Sequence, residues 1–116
     1  MVGNENLISF PLLEEIYKDK SKLINILQNY ISQNEKDFIE LKDAIEQSNY
    51  TKIKDTAHKM KGSAKYLELQ KIVNILQKIE NYALEKNIDQ IKENLIKLSE
   101  ELKHTYDKIN EYIIKT

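Results

Sequence analysis

His58 stands in the run Ala57-His58-Lys59-Met60-Lys61-Gly62-Ser63-Ala64, the stretch where a nucleophile, several cations and an unexpected glycine coincide. Residues three and four apart share a helix face. His58 therefore has Lys54 and Asp55 one turn before it, Lys61 and Gly62 one turn after, and Lys65 two turns after. Neutral imidazole is a nucleophile at physiological pH and needs no general base. A phosphoryl group on a ring nitrogen carries roughly two negative charges, which nearby ammonium groups, Lys61 first, would stabilise by charge-assisted hydrogen bonds. Gly62 is the misfit. Inside a helix glycine costs about 1 kcal/mol relative to alanine. One turn from His58, a missing side chain leaves space for something large, such as another protein's active site.

The rest of the chain reads as the scaffold for this stretch. Its 116 residues suit one domain with one core, expected over 1–116 with the bundle at about 10–114 and a flexible tail at 1–9. Two Gly and a single Pro argue against a turn-rich β protein, and the abundant Leu, Ile, Lys and Glu at helical spacing make the chain all-α. With 18 basic against 19 acidic residues, no global field recruits nucleic acid or an anionic membrane. The lysines near His58 are interspersed with acids and lack a row of stacking aromatics, which further disfavours nucleic acid. The absence of Cys removes disulfides, thiolate zinc sites and cysteine nucleophiles, and two widely spaced histidines make no metal-ligand set. Neither a signal peptide nor a membrane span is apparent, so a cytoplasmic location is expected. No Gly-rich phosphate loop is present, so neither ATP binding nor autonomous kinase activity is expected.

Hydrophobic spacing places the elements. Pro11 suits the first turn of a short leading helix through Tyr17, with Glu14 and Glu15 near its positive end. Asp19 and Ser21 are N-cap candidates for a helix of about 27 residues whose apolar stripe runs Ile24, Leu27, Ile31, Asn34, Phe38, Leu41, Ile45. Asn34 is its polar intruder. Asn49 caps a third helix with the stripe Ile53, Ala57, Met60, Ala64, Leu67. The register then shifts near Glu68, which predicts a tight turn into a fourth helix carrying Leu69, Ile72, Val73, Leu76, Ile79, Ala83. Asn87-Ile88-Asp89-Gln90 reads as a capping box for the last helix, which turns Ile91, Leu95, Leu98, Leu102, Ile109 and Ile113 to the core. The architecture is an antiparallel up-down-up-down four-helix bundle behind a short leading helix, a monomer by its ability to bury its own stripes. His58, about 100° from the Ala57 stripe, falls on its flank.

His58-Lys59-Met60-Lys61-Gly62-Ser63-Ala64, followed by Leu67 and Leu69, resembles the signature of histidine phosphotransfer (HPt) domains of two-component phosphorelays, and the likeness in helix order covers about residues 10–113. The resemblance implies that His58 accepts a phosphoryl group from a receiver-domain aspartyl phosphate and hands it to another receiver. It implies Lys61 as the phosphate contact and Gly62 and Ser63 as small residues permitting close docking. Lys54 and Lys65 would steer the receiver. Glu80, on the following helix at matching spacing, would hold the Nδ1 proton, with Gln77 one turn away as its competitor. Partners would be response-regulator receivers or a hybrid histidine kinase, and magnesium would belong to the receiver. One position departs from the family. Glu68 replaces the usual Gly of the turn, where a side chain in the left-handed conformation costs about 1 kcal/mol. The rival reading is a non-catalytic helical adaptor. His104 lacks the glycine and cations and is expected to be exposed and inert, and Phe10, Leu12, Leu13 and Ile16 are expected to close one end of the bundle or to extend the docking surface.

Overall fold

The computed structural model describes residues 11–115 and places them in five helices. These are α1 (Pro11–Ile16), α2 (Lys20–Glu46), α3 (Tyr50–Tyr66), α4 (Gln70–Leu84) and α5 (Ile88–Lys115), with no strand among the described residues. The tail expected at 1–9, and Phe10, lie outside the described residues, as does the Leu12 side chain.

Polar caps start three of the helices. The Asp19 carboxylate accepts from the Ser21 amide at 2.9 Å, Asn49 Oδ1 from the Lys52 amide at 3.2 Å, and Asn87 Oδ1 from the Gln90 amide at 3.2 Å. Of the two candidates for α2, Asp19 is the cap. At Asn87 the reciprocal half of the box does not form, because the Asn87 amide is already bound to the Tyr82 carbonyl at 2.9 Å.

That bond belongs to a turn used three times. After α2, α3 and α4, two amides reach back to the last turn of the helix: Ser48 to Ile45 and Asn49 to Ala44, Glu68 to Lys65 and Leu69 to Ala64, Lys86 to Ala83 and Asn87 to Tyr82. This is the Schellman pattern, which needs a left-handed residue in the middle. Ser48, Glu68 and Lys86 supply it at φ of 51°, 59° and 55°. The tight turn expected at Glu68 therefore forms with the geometry glycine would favour, at a steric cost rather than by a change of path.

Each turn reverses the chain, so α2, α3, α4 and α5 pack in sequence and α5 returns against α2 to close the ring. The α3–α4 contact is the most extensive. One core layer joins Leu41, Ile53, Met60, Leu76, Ile79, Ile91 and Leu98. A second, at the end near α1, joins Leu13, Leu23, Leu27, Tyr30, Leu67 and Ile109. Leu13 thus closes the bundle end as expected, while Ile16 is exposed. Helix α1 is also tied by polar bonds. Tyr112 Oη donates to Glu14 Oε2 at 2.6 Å, and the Tyr17 and Tyr66 hydroxyls meet at 3.0 Å.

The buried face of α2 differs from the stripe read in the sequence. Leu27, Asn34, Leu41 and Ile45 are buried, but Ile24, Ile31 and Phe38 are only partly so, and Leu23, Tyr30 and Asp37 take the centre. The face is rotated by one residue because α3 offers Asp37 a cation. On α5 the buried Asn94 and Thr105 join the core face, while Leu95 and Ile113 lie at its margin. Asn34 does bond inside the core, Nδ2 donating to Tyr106 Oη at 2.6 Å.

Candidate functional site

The antiparallel register of α3 and α4 sets residue 58 opposite 80 and residue 61 opposite 77, and the site is built on these two rungs. Ala57 and Met60 bury the inner face of α3 completely. His58, next to Ala57, therefore emerges on the flank, its side chain 72% exposed. Ile79 locks α4 into the core in the same way and brings the adjacent Glu80 up beside the ring. Glu80 Oε1 lies 2.9 Å from His58 Nδ1. A carboxylate only accepts hydrogen bonds, so Nδ1 carries a proton, and in the neutral ring Nε2 is the nitrogen that keeps a lone pair.

The other carboxylate oxygen, Oε2, forms an ion pair with Lys61 Nζ at 2.5 Å, and Nζ donates an aligned hydrogen bond to Gln77 Oε1 at 2.7 Å. Gln77 Nε2 in turn donates to Asn81 Oδ1 at 3.0 Å. A polar chain therefore runs along the α3–α4 seam from Asn81 through Gln77, Lys61 and Glu80 to His58. Gln77 takes Lys61 as its partner and not the imidazole. Lys61 itself is buried, its side chain 9% exposed. It lies four residues from Ala57 as well as three from His58, so its aliphatic stem shares the core face while its head reaches the polar seam.

Gly62 and Ser63 are both exposed on α3. A Cβ built on Gly62 meets no described residue within 4 Å, so nothing among the described residues requires glycine there. On the α2 side these two residues border a hollow of about 520 Å³ shared with Ile26, Asn29, Lys59 and Tyr66. Lys65 is exposed in the last turn of α3. Lys54 sits half-buried one turn before His58, near Ala83 and Leu84, with Nζ 3.9 Å from its neighbour Asp55. His104 is exposed on α5, outside this constellation.

Lys59 was not singled out by sequence. It reaches across to α2, its Nζ 3.1 Å from Asp37 Oδ1 and 3.5 Å from Glu40 Oε2, and Asp37 also accepts from Gln33 Nε2 at 3.1 Å. The Asp37 carboxylate, whose side chain is 4% exposed, is the main reason the Lys59 ammonium is held above its ordinary range. The available signal was an aspartate seven residues from Tyr30 and from Ala44, a core position that a charge occupies only with a partner. Among the described residues no group of three or more His, Cys, Asp or Glu could hold a metal ion. No helix among them is long and apolar enough to cross a membrane.

The chain matches the Hpt domain over residues 25–111, a span that contains both rungs of the site. Part of it is 34% identical, over 65 residues, to the phosphorelay intermediate protein YPD1 of Candida albicans. That alignment takes in 56% of this chain and 35% of the relative, so the likeness spans about a third of the longer protein. No solved structure gives a significant match. With the family match running through most of α2, all of α3 and α4 and most of α5, the chain belongs to the Hpt domain family.

Proposed function

We propose that the protein is a phosphorelay intermediate that accepts a phosphoryl group on Nε2 of His58 from a receiver-domain aspartyl phosphate and passes it to a second receiver. The observation that carries this reading is the exposed imidazole whose Nδ1 is engaged by Glu80 at 2.9 Å, which leaves the outward nitrogen as the nucleophile. In transfer the Nε2 lone pair forms the N–P bond as the aspartyl O–P bond breaks, and the carboxylate leaves on the receiver. The Nδ1 proton stays in place. The positive charge that develops on the ring is met by the Glu80 carboxylate. The chain supplies nucleophile and alignment, and positioning carries the rate.

In this reading Gly62 and Ser63 form the surface over which the receiver closes, and Lys54 and Lys65 steer it by charge. The open space above Gly62 supports that assignment, since no described residue occupies it. Magnesium and the acidic pocket belong to the receiver, and the protein acts as a carrier without kinase activity of its own, as a monomer in the cytoplasm. Its donors and acceptors are response-regulator receivers, including those of hybrid histidine kinases.

The test is direct. Mixed with a phosphorylated receiver, the protein gains an acid-labile phosphate, and His58→Gln gains none. Equal labelling of His58→Gln and the parent would sink the proposal and leave a non-catalytic helical adaptor as the better account.

A further inference from the structure

Lys61 is the residue whose position sits least well with simple contact to a phosphoryl group. Its ammonium points into the α3–α4 seam, 2.5 Å from the Glu80 oxygen that does not face the ring, and a second bond at 2.7 Å anchors it to Gln77. Both Lys61 and Glu80 are nearly buried, with side chains 9% and 11% exposed, whereas the ring is open. The carboxylate is thus shared, one oxygen to the imidazole and the other to the ammonium.

A carboxylate beside an imidazole has two effects that pull apart. It orients the ring by accepting from Nδ1, and it favours the doubly protonated imidazolium, in which Nε2 has no lone pair to offer. A cation in contact with the same carboxylate opposes the second effect without disturbing the first. The remaining charges near the ring do not take this place. Lys54 is half-buried beside the exposed Asp55 one turn before the ring, Lys65 is exposed two turns after it, and Lys59 is bound to Asp37 and Glu40 on α2. On α4 the charged partner is Glu80, with Gln77 and Asn81 uncharged beside it.

Resting on the phosphoacceptor reading of His58, we propose that Lys61 is a positioning residue that acts on His58 through Glu80. Its ammonium fixes and neutralises the carboxylate, so that the ring is held by Nδ1–H without being held in its protonated, non-nucleophilic form. Gln77 is the second anchor, keeping Nζ on Oε2.

The proposal is tested by a double-mutant cycle, Lys61→Met and Glu80→Gln singly and together, with phosphoryl uptake from a phosphorylated receiver measured against the parent at each pH. Lys61→Met leaves Glu80 uncompensated beside the ring. Uptake relative to the parent falls about three- to tenfold near pH 6.5 and recovers to within about twofold near pH 8.5. On the Glu80→Gln background the same Lys61→Met change alters uptake by less than about twofold at either pH, since no carboxylate remains to be neutralised. Lys61→Arg, which keeps the positive charge, retains more uptake near pH 6.5 than Lys61→Met does. Circular dichroism and urea midpoints confirm that each variant is folded. A loss of equal size at both pH values and in both backgrounds would overturn the proposal and assign Lys61 to the phosphoryl group or the docked receiver.

A second readout needs no transfer. The His58 ring, followed by NMR, titrates at higher pH in Lys61→Met than in the parent, and this displacement disappears in the double variant. An unmoved titration overturns the proposal by itself. It remains measurable even where His58→Gln has shown that the phosphoacceptor reading is wrong, so the two failures are distinguishable.

Discussion

Replacing Gly62 by alanine sets what helix α3 needs against what its surface is kept for. Gly62 lies inside α3 with ordinary helical backbone, and a methyl group at its Cβ position meets no described residue within 4 Å. The substitution therefore creates no clash, and it removes the entropic penalty of a helical glycine, about 0.5–1 kcal/mol. For a domain of this size that gain raises the melting temperature by about 2–6 °C. A receiver that closes over this position meets the added methyl group at a packed interface, where overpacking costs about 1–3 kcal/mol, or roughly five- to 150-fold in the rate of transfer. Gly62→Gln extends the series with a longer side chain. Urea unfolding followed by circular dichroism gives the stability, and transfer from a phosphorylated receiver at sub-saturating concentration gives the rate. Stability and transfer are expected to move in opposite directions. If Gly62→Ala lowers stability, the glycine serves the fold after all. Transfer at the parental rate by Gly62→Gln would mean that no partner covers this face.

The turn after α3 offers a second test: Glu68→Gly relieves a left-handed non-glycine residue and raises stability by up to about 1 kcal/mol in urea unfolding, net of the added freedom of the unfolded chain, and a loss would show that the Glu68 side chain matters more than its backbone. Lys59→Met leaves the buried Asp37 carboxylate with Gln33 alone and destabilises the protein by about 1–3 kcal/mol; Asp37→Asn on that background recovers part of the loss, and additivity of the two changes would refute the pairing. In alkali, burial raises the Tyr30 and Tyr106 phenols, and burial with the Glu14 contact pushes Tyr112 up to about 12. Because these phenols hold their protons more tightly in the folded chain, their contribution is full below the unfolded value near pH 10 and is lost as pH rises towards 12. Phenolate absorbance should then lag for some of the seven tyrosines until circular dichroism reports unfolding, and a single transition of all seven in the folded protein would contradict this.

Much of the site was legible because helical geometry converts spacing into adjacency. The faces shared by Ala57, Met60 and Ala64, and by His58 and Gly62, follow from steps of three and four, and the shift of register at Glu68 located the turn that folds Glu80 back towards His58. What escaped depended on contacts between helices. Ile24, Ile31 and Phe38 repeat at the same interval of seven as Leu23, Tyr30 and Asp37, and residue type alone ranks the first set as the better core. Lys59, arriving from α3, makes the second set possible by covering the buried carboxylate of Asp37. The position of the Lys61 ammonium was hidden for a similar reason. Spacing put it one turn from His58, but its direction is decided by Glu80 and Gln77, residues 19 and 16 positions away on α4.

The α3–α4 hairpin carries a consequence for the order in which the molecule assembles. His58 and Glu80 are separated by 22 residues and Lys61 and Gln77 by 16, and one tight turn at Glu68 joins the two helices. Contacts this local close small loops and form early, because little chain entropy is lost in making them. The reactive chain of side chains is thereby complete within one supersecondary unit, independent of α1 and with no ligand borrowed from α2 or α5. Transient opening at the α1 end, where Leu13 and the Tyr17–Tyr66 contact hold a six-residue helix, can occur without dismantling the imidazole and its supports. In hydrogen exchange the amides of α1 should open first and those around Met60 and Ile79 last, which places the chemistry in the most persistent part of the fold.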